Sequence, residues 1–174
     1  LLELNRLEEG SIQPKFFQGQ IIQYLKYLTE SYQSFAWSKR RSLSFHAEVE
    51  DDFLMDFDSQ KLQRILINLL SNAIKFTPEL GQIKVLVKKD TGHNSLIIRV
   101  KDTGQGIPEE ALSHIFDRFY QVDNSSTRSI QGTGIGLALV KEITELLNGD
   151  VSCKSIVGKG TTFELSFPIT RNAP

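Results

Sequence analysis

The sequence predicts an α+β domain, a two-layer sandwich in which one mixed sheet carries helices on one face. Segments with apolar residues at helical spacing and segments with strict alternation succeed one another without a regular βαβ rhythm. Two pairs of alternating segments are joined by short polar turns, the pattern of hairpins and so of antiparallel pairing. The 174 residues, 40% apolar and 24% charged, suffice for one core but not for two large domains.

Taken in order, Leu1, Leu4 and Leu7 lie on one side of a short helix that Gly10 stops. So short a helix seldom holds in water. It is expected to be the end of a longer helix whose leucine seam meets a partner. Residues 11–19, with Pro14, are expected to form a linker. Residues 20–40 read as one helix, with Ile21, Ile22, Leu25, Leu28, Tyr32, Phe35 and Ala36 at helical spacing, and Trp37 is expected to pack near its end. Leu43, Phe45, Ala47 and Val49 alternate as in a half-buried strand. Phe53, Met55 and Phe57 read as another. Residues 58–77 form the longest helix, ended by Thr77-Pro78. Ile83, Val85 and Val87, then Leu96, Ile98 and Val100, make a hairpin across a turn at 90–94. Pro108 opens a short helix over 108–116. Residues 121–131 are polar apart from Val122 and Ile130. Residues 136–147 are a helix ended by Asn148-Gly149, and 151–156 with 162–167 form a terminal hairpin.

Composition excludes several functions. Net charge is -1 with no long basic run, so neither nucleic acid nor an anionic membrane surface is an expected partner. The greasy stretch 65–70, interrupted by Asn68, is too short to span a bilayer, and no signal peptide is expected. Cys153 is the only cysteine, which rules out an internal disulfide and a cysteine-based metal cage. It reads as a small buried hydrophobe in a strand, and a reducing compartment fits.

The 58–77 helix carries an unusual stripe. Asn68, Ser71, Asn72 and Lys75 fall at i, i+3, i+4 and i+7, one helical face, while Ile65, Leu66, Leu69, Leu70, Ala73 and Ile74 cover the rest. Asn has weak helix propensity and competes for backbone hydrogen bonds, so Glu, Lys or Gln would serve a merely wet face better. On the helix alone two readings stand: a solvated face, or neutral amide oxygens that hold a hard divalent cation carrying a polyphosphate, with the ammonium meeting the phosphates.

Three glycine segments add to this. In Asp102-Thr103-Gly104-Gln105-Gly106-Ile107-Pro108, after a strand, the glycines make either a tight turn or a place where a flat ring comes close, with the Asp102 carboxylate facing a ligand amine. Such a carboxylate suits the exocyclic amine of adenine and repels the carbonyl of guanine. The Asp-Thr-Gly is not that of an aspartic protease, which continues with a small apolar residue and needs a second carboxylate. Gln131-Gly132-Thr133-Gly134-Ile135-Gly136-Leu137 opens a helix and can present amide N–H groups to anions. It is neither a dinucleotide fingerprint, since Leu137 stands where the third glycine would, nor a P-loop. Gly158-Lys159-Gly160-Thr161-Thr162-Phe163 reads as a hairpin turn, with Thr161 a possible second adenine contact.

Together and in order, these pieces resemble the catalytic ATP-binding domain of bacterial sensor histidine kinases, which has the Bergerat (GHKL) fold shared with gyrase, the mismatch-repair ATPases and a class of ATPase chaperones. NLLSNAIKFTP resembles the asparagine box, DTGQGIP the first glycine box, IFDRFYQ the phenylalanine box, GTGIGLAL the second glycine box and GKGTTF the last. LLELNRLEEG is similar to the end of the dimerisation helix that precedes such domains.

The resemblance implies ATP and Mg2+ as ligands. Asn72 would bind magnesium with Asn68 supporting it, Lys75 would touch phosphate, and Asp102 would select adenine above Gly104 and Gly106, with Thr161 beside it. Gly132, Thr133, Gly134, Gly136 and Leu137 would cradle phosphates. Phe116 and Phe119 would brace a mobile lid over 121–131, and Arg118 and Arg128 are phosphate candidates. ATPase relatives carry a glutamate where Asn68 stands. An amide cannot take a proton from water, so slow hydrolysis and phosphoryl transfer to another acceptor are implied. None of His46, His93 and His114 resembles the phosphoacceptor, which is expected upstream, so this fragment should not phosphorylate itself. The implied organisation is the end of a dimerisation helix over 1–10, a linker over 11–19, the catalytic domain over 20–170 and a tail over 171–174. Implied partners are the dimerisation and phosphotransfer domain of the same protein and a response-regulator receiver domain. The full protein is expected to be a homodimer in the cytoplasm, or a membrane sensor whose cytoplasmic part this is, without direct membrane contact here. An ATPase of the same fold and a non-catalytic nucleotide-sensing or interaction module are the alternatives.

Overall fold

The computed structural model describes residues 13–122 and 134–174. The leucine seam over 1–10, the first part of the linker, Arg128, Gly132, Thr133 and most of the lid lie outside the described residues. The elements in chain order are β1 (Phe17–Gln20), α1 (Ile21–Ser31), α2 (Gln33–Ser38), β2 (Ser42–Ala47), β3 (Leu54–Phe57), α3 (Ser59–Phe76), β4 (Gln82–Asp90), β5 (Ser95–Asp102), α4 (Glu109–Leu112), α5 (Gly136–Leu146), β6 (Asp150–Ile156) and β7 (Gly160–Pro168).

Five strands form a mixed sheet in the order β2-β4-β5-β7-β6. β2 runs parallel to β4, and the other pairs are antiparallel. Period-2 alternation decides which face is buried. Ile83, Val85 and Val87 of β4, Leu96, Ile98 and Val100 of β5, and Phe163, Leu165 and Phe167 of β7 join one core, while Lys84, Lys101 and Lys154 are exposed. α1 and α2 lie against β2, α3 against β5 and α5 against β6, and α3 packs on both α1 and α5. The two-layer α+β reading therefore holds. Among the described residues no helix is long and apolar enough to cross a membrane.

Three local expectations are corrected. The 20–40 helix breaks at Tyr32, whose N–H turns back to Thr29 O at 3.1 Å. The Ser31 hydroxyl bonds Leu28 O at 2.7 Å, a side-chain competitor for the helical ladder. Beyond the break Ala36 stays buried, but Phe35 is 45% and Trp37 80% exposed, so Trp37 does not pack. The expected 108–116 helix shrinks to α4, and the chain continues in turns, with His114 N–H bonded to Ala111 O and Asp117 N–H to His114 O.

The expected linker also contains β1, which pairs antiparallel with β3. The carboxyl-terminal residues strap this small sheet: Gln18 N–H donates to Pro174 O at 3.1 Å, and Asp56 Oδ2 accepts from the Thr170 hydroxyl at 2.8 Å and from Asn172 N–H at 2.6 Å. Burial works to raise the Asp56 carboxyl, but these and neighbouring hydrogen bonds outweigh it and hold the group below the ordinary carboxylate value.

Candidate functional site

α3 is built to hold its polar stripe still. Asp58 caps it, accepting from Lys61 N–H at 3.0 Å and from the Lys61 ammonium at 3.0 Å. Leu62, Ile65, Leu66, Leu69, Leu70, Ala73 and Ile74 are buried, so the helix cannot rotate without exposing them. Asn68, Ser71, Asn72 and Lys75 emerge half-buried along one edge. Asn68 Nδ2 donates to Arg64 O at 2.8 Å, which leaves Oδ1 as the free end of that amide. Oδ1 faces the start of α5, where a Cβ on Gly136 would come within 2.9 Å of it.

The other end of the stripe meets the first glycine loop. Gln105 N–H reaches Phe76 O at 3.4 Å. A Cβ on Gly104 would lie 2.7 Å from that carbonyl and 2.7 Å from Asp102 Oδ1. A Cβ on Gly106, at φ +77°, would lie 2.3 Å from Ile156 O. Both glycines are thus required by close approach of the protein to itself. Asn68 and Phe76 are eight residues apart, about 12 Å along the helix axis. Asn72 stands midway between the start of α5 and the loop that carries Asp102.

Asp102 and Thr161 close the far end. They are register partners on β5 and β7, both buried, at inward-facing positions where the rest of the alternation is apolar. Asp102 Oδ1 accepts from Gly104 N–H at 2.8 Å. Burial raises the Asp102 carboxyl above its usual value, and the Gly104 and Thr161 N–H groups offset this only in part. Cys153, half-buried nearby on β6, has its thiol pushed up to about 12 by burial and by the Asp102 charge. This agrees with an inert, hydrophobe-like cysteine.

The remaining sequence-predicted residues divide. Phe116 packs edge-on to Phe163 with ring centroids 6.1 Å apart. Phe119 instead exposes its ring at φ +65°, and its N–H donates to Gly134 O at 2.9 Å, tying together the two ends of the 120–133 segment. Arg118 is held on α5 by Glu142, with Nε at 3.0 Å and a terminal nitrogen at 2.7 Å from Oε1. The Lys75 ammonium lies 5.1 Å from the centre of the Phe76 ring, without a carboxylate partner among the described residues. Leu137 is half-buried against the core. Two of the histidines bond neighbouring acids at the surface: His93 to Asp90 at 2.8 Å and His114 to Asp117 at 2.9 Å.

Sequence reasoning missed Ser155. Its Oγ gathers Ile107 N–H, Gly160 O and Thr161 Oγ1 within 3.0 Å. The period-2 row Val151, Cys153, Ser155 was the available signal, since it points Ser155 inward. A cavity of about 470 Å3 lies elsewhere, between β3 and the carboxyl-terminal residues, and none of the site residues lines it.

Among the described residues no group of three His, Cys, Asp or Glu side chains could hold a metal ion. The donors on α3 are neutral amides, which suit a hard cation that brings most of its oxygen ligands with it.

Comparison with known proteins gives the family and the fold. Residues 57–171 match the family described as histidine kinase-, DNA gyrase B-, and HSP90-like ATPase. The chain is 35% identical over 169 residues to the sensor histidine kinase WalK of Bacillus subtilis (strain 168), covering 97% of this chain and 27% of WalK. It is 37% identical over 175 residues to the autoinducer 2 sensor kinase/phosphatase LuxQ of Vibrio vulnificus (strain YJ016), covering 98% of this chain and 20% of LuxQ. The chain therefore spans only 20–27% of the length of these two relatives. Full-length ShkA, solved in complex with AMPPNP, matches with a TM-score of 0.83 at 26% identity, covering 98% of this chain and 34% of ShkA. The catalytic domain of histidine kinase ThkA shares the fold, with a TM-score of 0.77 at 23% identity, over 90% of this chain and 99% of that domain. With these matches over nearly its whole length, the chain belongs to the histidine kinase-, DNA gyrase B-, and HSP90-like ATPase family and corresponds to the ATP-binding catalytic domain of its sensor histidine kinases.

Proposed function

We propose that this domain holds Mg-ATP along the polar edge of α3 and presents the γ-phosphate to a histidine on an upstream dimerisation and phosphotransfer domain of the same protein. The observation that carries this is the buried Asp102–Thr161 pair, whose glycine loop meets α3 one turn beyond Asn72. Asp102 accepts from the adenine amine. Asn72, with Asn68 beside it, holds magnesium through amide oxygens, and Lys75 meets the phosphates. Gly134, Gly136 and Leu137 offer backbone N–H groups at the start of α5, and Gly132 and Thr133 remain phosphate candidates from the sequence. Phe116 packs on Phe163 before the lid, and Phe119, through its N–H to Gly134 O, ties the two flanks of the lid together. Arg118, held by Glu142 through Nε and one terminal nitrogen, is one phosphate candidate, and Arg128 is a second on the lid. Bound magnesium supplies neutralising charge for the polyphosphate.

Asn68 supports transfer over hydrolysis. It is an amide, and its nitrogen is already committed to Arg64 O, so it cannot serve as a base toward water. The receiver domain of a response regulator is then the next acceptor, and the full protein acts as a homodimer in the cytoplasm.

Thermal melting with ATP tests the site. A ligand at a hundred times its Kd adds about 2.7 kcal/mol, which in a domain of this size raises Tm by roughly 5–10 °C. Asn72→Ala should abolish the part of that shift that depends on magnesium. An equal shift with and without magnesium in the wild-type protein refutes the role of Asn72, and no shift at all refutes the site.

A further inference from the structure

Ser155 closes the inward-facing row of β6, and its hydroxyl meets three partners. Ile107 N–H donates to Oγ at 2.8 Å. The Gly160 carbonyl oxygen lies at 3.0 Å and Thr161 Oγ1 at 2.8 Å. A hydroxyl has one proton and two acceptor sites. Ile107 can only donate and the carbonyl can only accept. The Ser155 proton therefore goes to Gly160 O, one lone pair takes Ile107 N–H, and the remaining lone pair is met only by the proton of Thr161. The opposite polarity would set the Gly160 oxygen against a Ser155 lone pair at 3.0 Å. With its proton so engaged, Thr161 Oγ1 keeps acceptor capacity alone.

Thr161 faces Asp102 in register, and an ionised carboxylate is also an acceptor only. We propose that Ser155 is a specificity-determining positioning residue, which fixes the polarity of the Thr161 hydroxyl so that the base end of the site offers acceptors and no hydroxyl donor. Such a site takes a 6-amino purine nucleotide and rejects a 6-oxo one. This rests on the Mg-ATP reading above. The same hydroxyl braces the loop that forms this end. Ile107 directly follows Gly106, and Gly158 N–H clamps Gln105 O from the opposite hairpin at 2.8 Å.

The test is calorimetry of ADP and GDP on wild type, Ser155→Ala, Thr161→Val and the double variant. Ser155→Ala frees the Thr161 proton to donate to a 6-oxo group, so the ratio of ADP to GDP affinity falls about tenfold. Added to Thr161→Val, the same change produces no further fall, because the hydroxyl it acts through is gone. An unchanged ratio in Ser155→Ala overturns the proposal, as does an equal fall in both backgrounds. Should Ser155→Ala fail to fold, Ser155→Cys, whose thiol is a weak donor and acceptor of similar size, takes its place: its ratio must fall, and an unchanged ratio overturns the proposal. Wild type without affinity for ADP overturns the Mg-ATP reading itself, whereas ADP binding with an insensitive ratio overturns only the role of Ser155.

Discussion

Replacing Asp102 by Asn separates binding from stability. The carboxylate already accepts the Gly104 N–H, through Oδ1 at 2.8 Å, and the Thr161 N–H, and its remaining lone pairs are left for a ligand amine. Asparagine has a single acceptor oxygen. If that oxygen keeps the Gly104 bond, the NH2 group faces the adenine amine, donor against donor. The substitution therefore loses at least the charge-assisted bond, about 1.5–3 kcal/mol, or roughly a tenfold to hundredfold weaker Kd for ATP. Stability moves the other way. Burial raises the folded-state pKa of Asp102 above 3.8, so the folded chain holds this proton more tightly than the unfolded one. The contribution is favourable below pH 3.8 and is lost as pH rises through the raised value, leaving a buried charge at neutral pH. Without nucleotide, Asp102→Asn should melt higher than wild type at pH 7, and the advantage should vanish in acid. Calorimetry with ATP and apo melts from pH 3 to 8 measure both effects. Unchanged ATP affinity refutes the adenine assignment, and an apo variant less stable than wild type at pH 7 refutes the electrostatic argument.

Two other outcomes follow from groups nearby. Asp58→Ala removes the cap of α3 and the partner of the Lys61 ammonium, and should cost about 1–2 kcal/mol, seen as a Tm lower by roughly 2–8 °C. Its hydrogen bonds outweigh burial and lower its pKa, so this stabilisation is present above pH 3.8 and is lost as pH falls below it; a gap between wild type and variant that persists undiminished in strong acid contradicts the assignment. Cys153, with its thiol pushed up from 9.0 to about 12, should react with iodoacetamide at pH 8 about a thousandfold more slowly in the native state than after unfolding, from thiolate fraction alone. Comparable native and unfolded rates, followed by mass spectrometry, exclude it.

The parts of the fold legible in sequence were those set by local pattern. The Asp58 and Thr77 boundaries of α3 are the observed caps, because a capping carboxylate and a Thr-Pro pair act on adjacent backbone. The two hairpins appear in register with their apolar alternation. β1 was missed because its partner β3 lies far along the chain, and four residues reading Phe-Gln-Gly-Gln carry no clear period. The exposure of Phe35 and Trp37 was missed because helical spacing reports a stripe, not what covers it. At the site, Asp102 was conspicuous as an acid ending an apolar strand. The commitment of Arg118 to Glu142 depends on how α5 docks, which residue types alone do not encode. The inward position of Ser155 was legible from the alternation of β6, but its role was not, being significant only through three backbone and hydroxyl neighbours contributed by other segments.

The tight quarters around residues 104 and 106 bear on how mutagenesis of this domain is interpreted. A methyl group introduced at either place collides with the Phe76 or Ile156 carbonyl before any nucleotide arrives. Lost function in such variants gauges the integrity of the loop and its hairpin. Evidence about the base itself has to come from side chains that can change chemistry without changing volume.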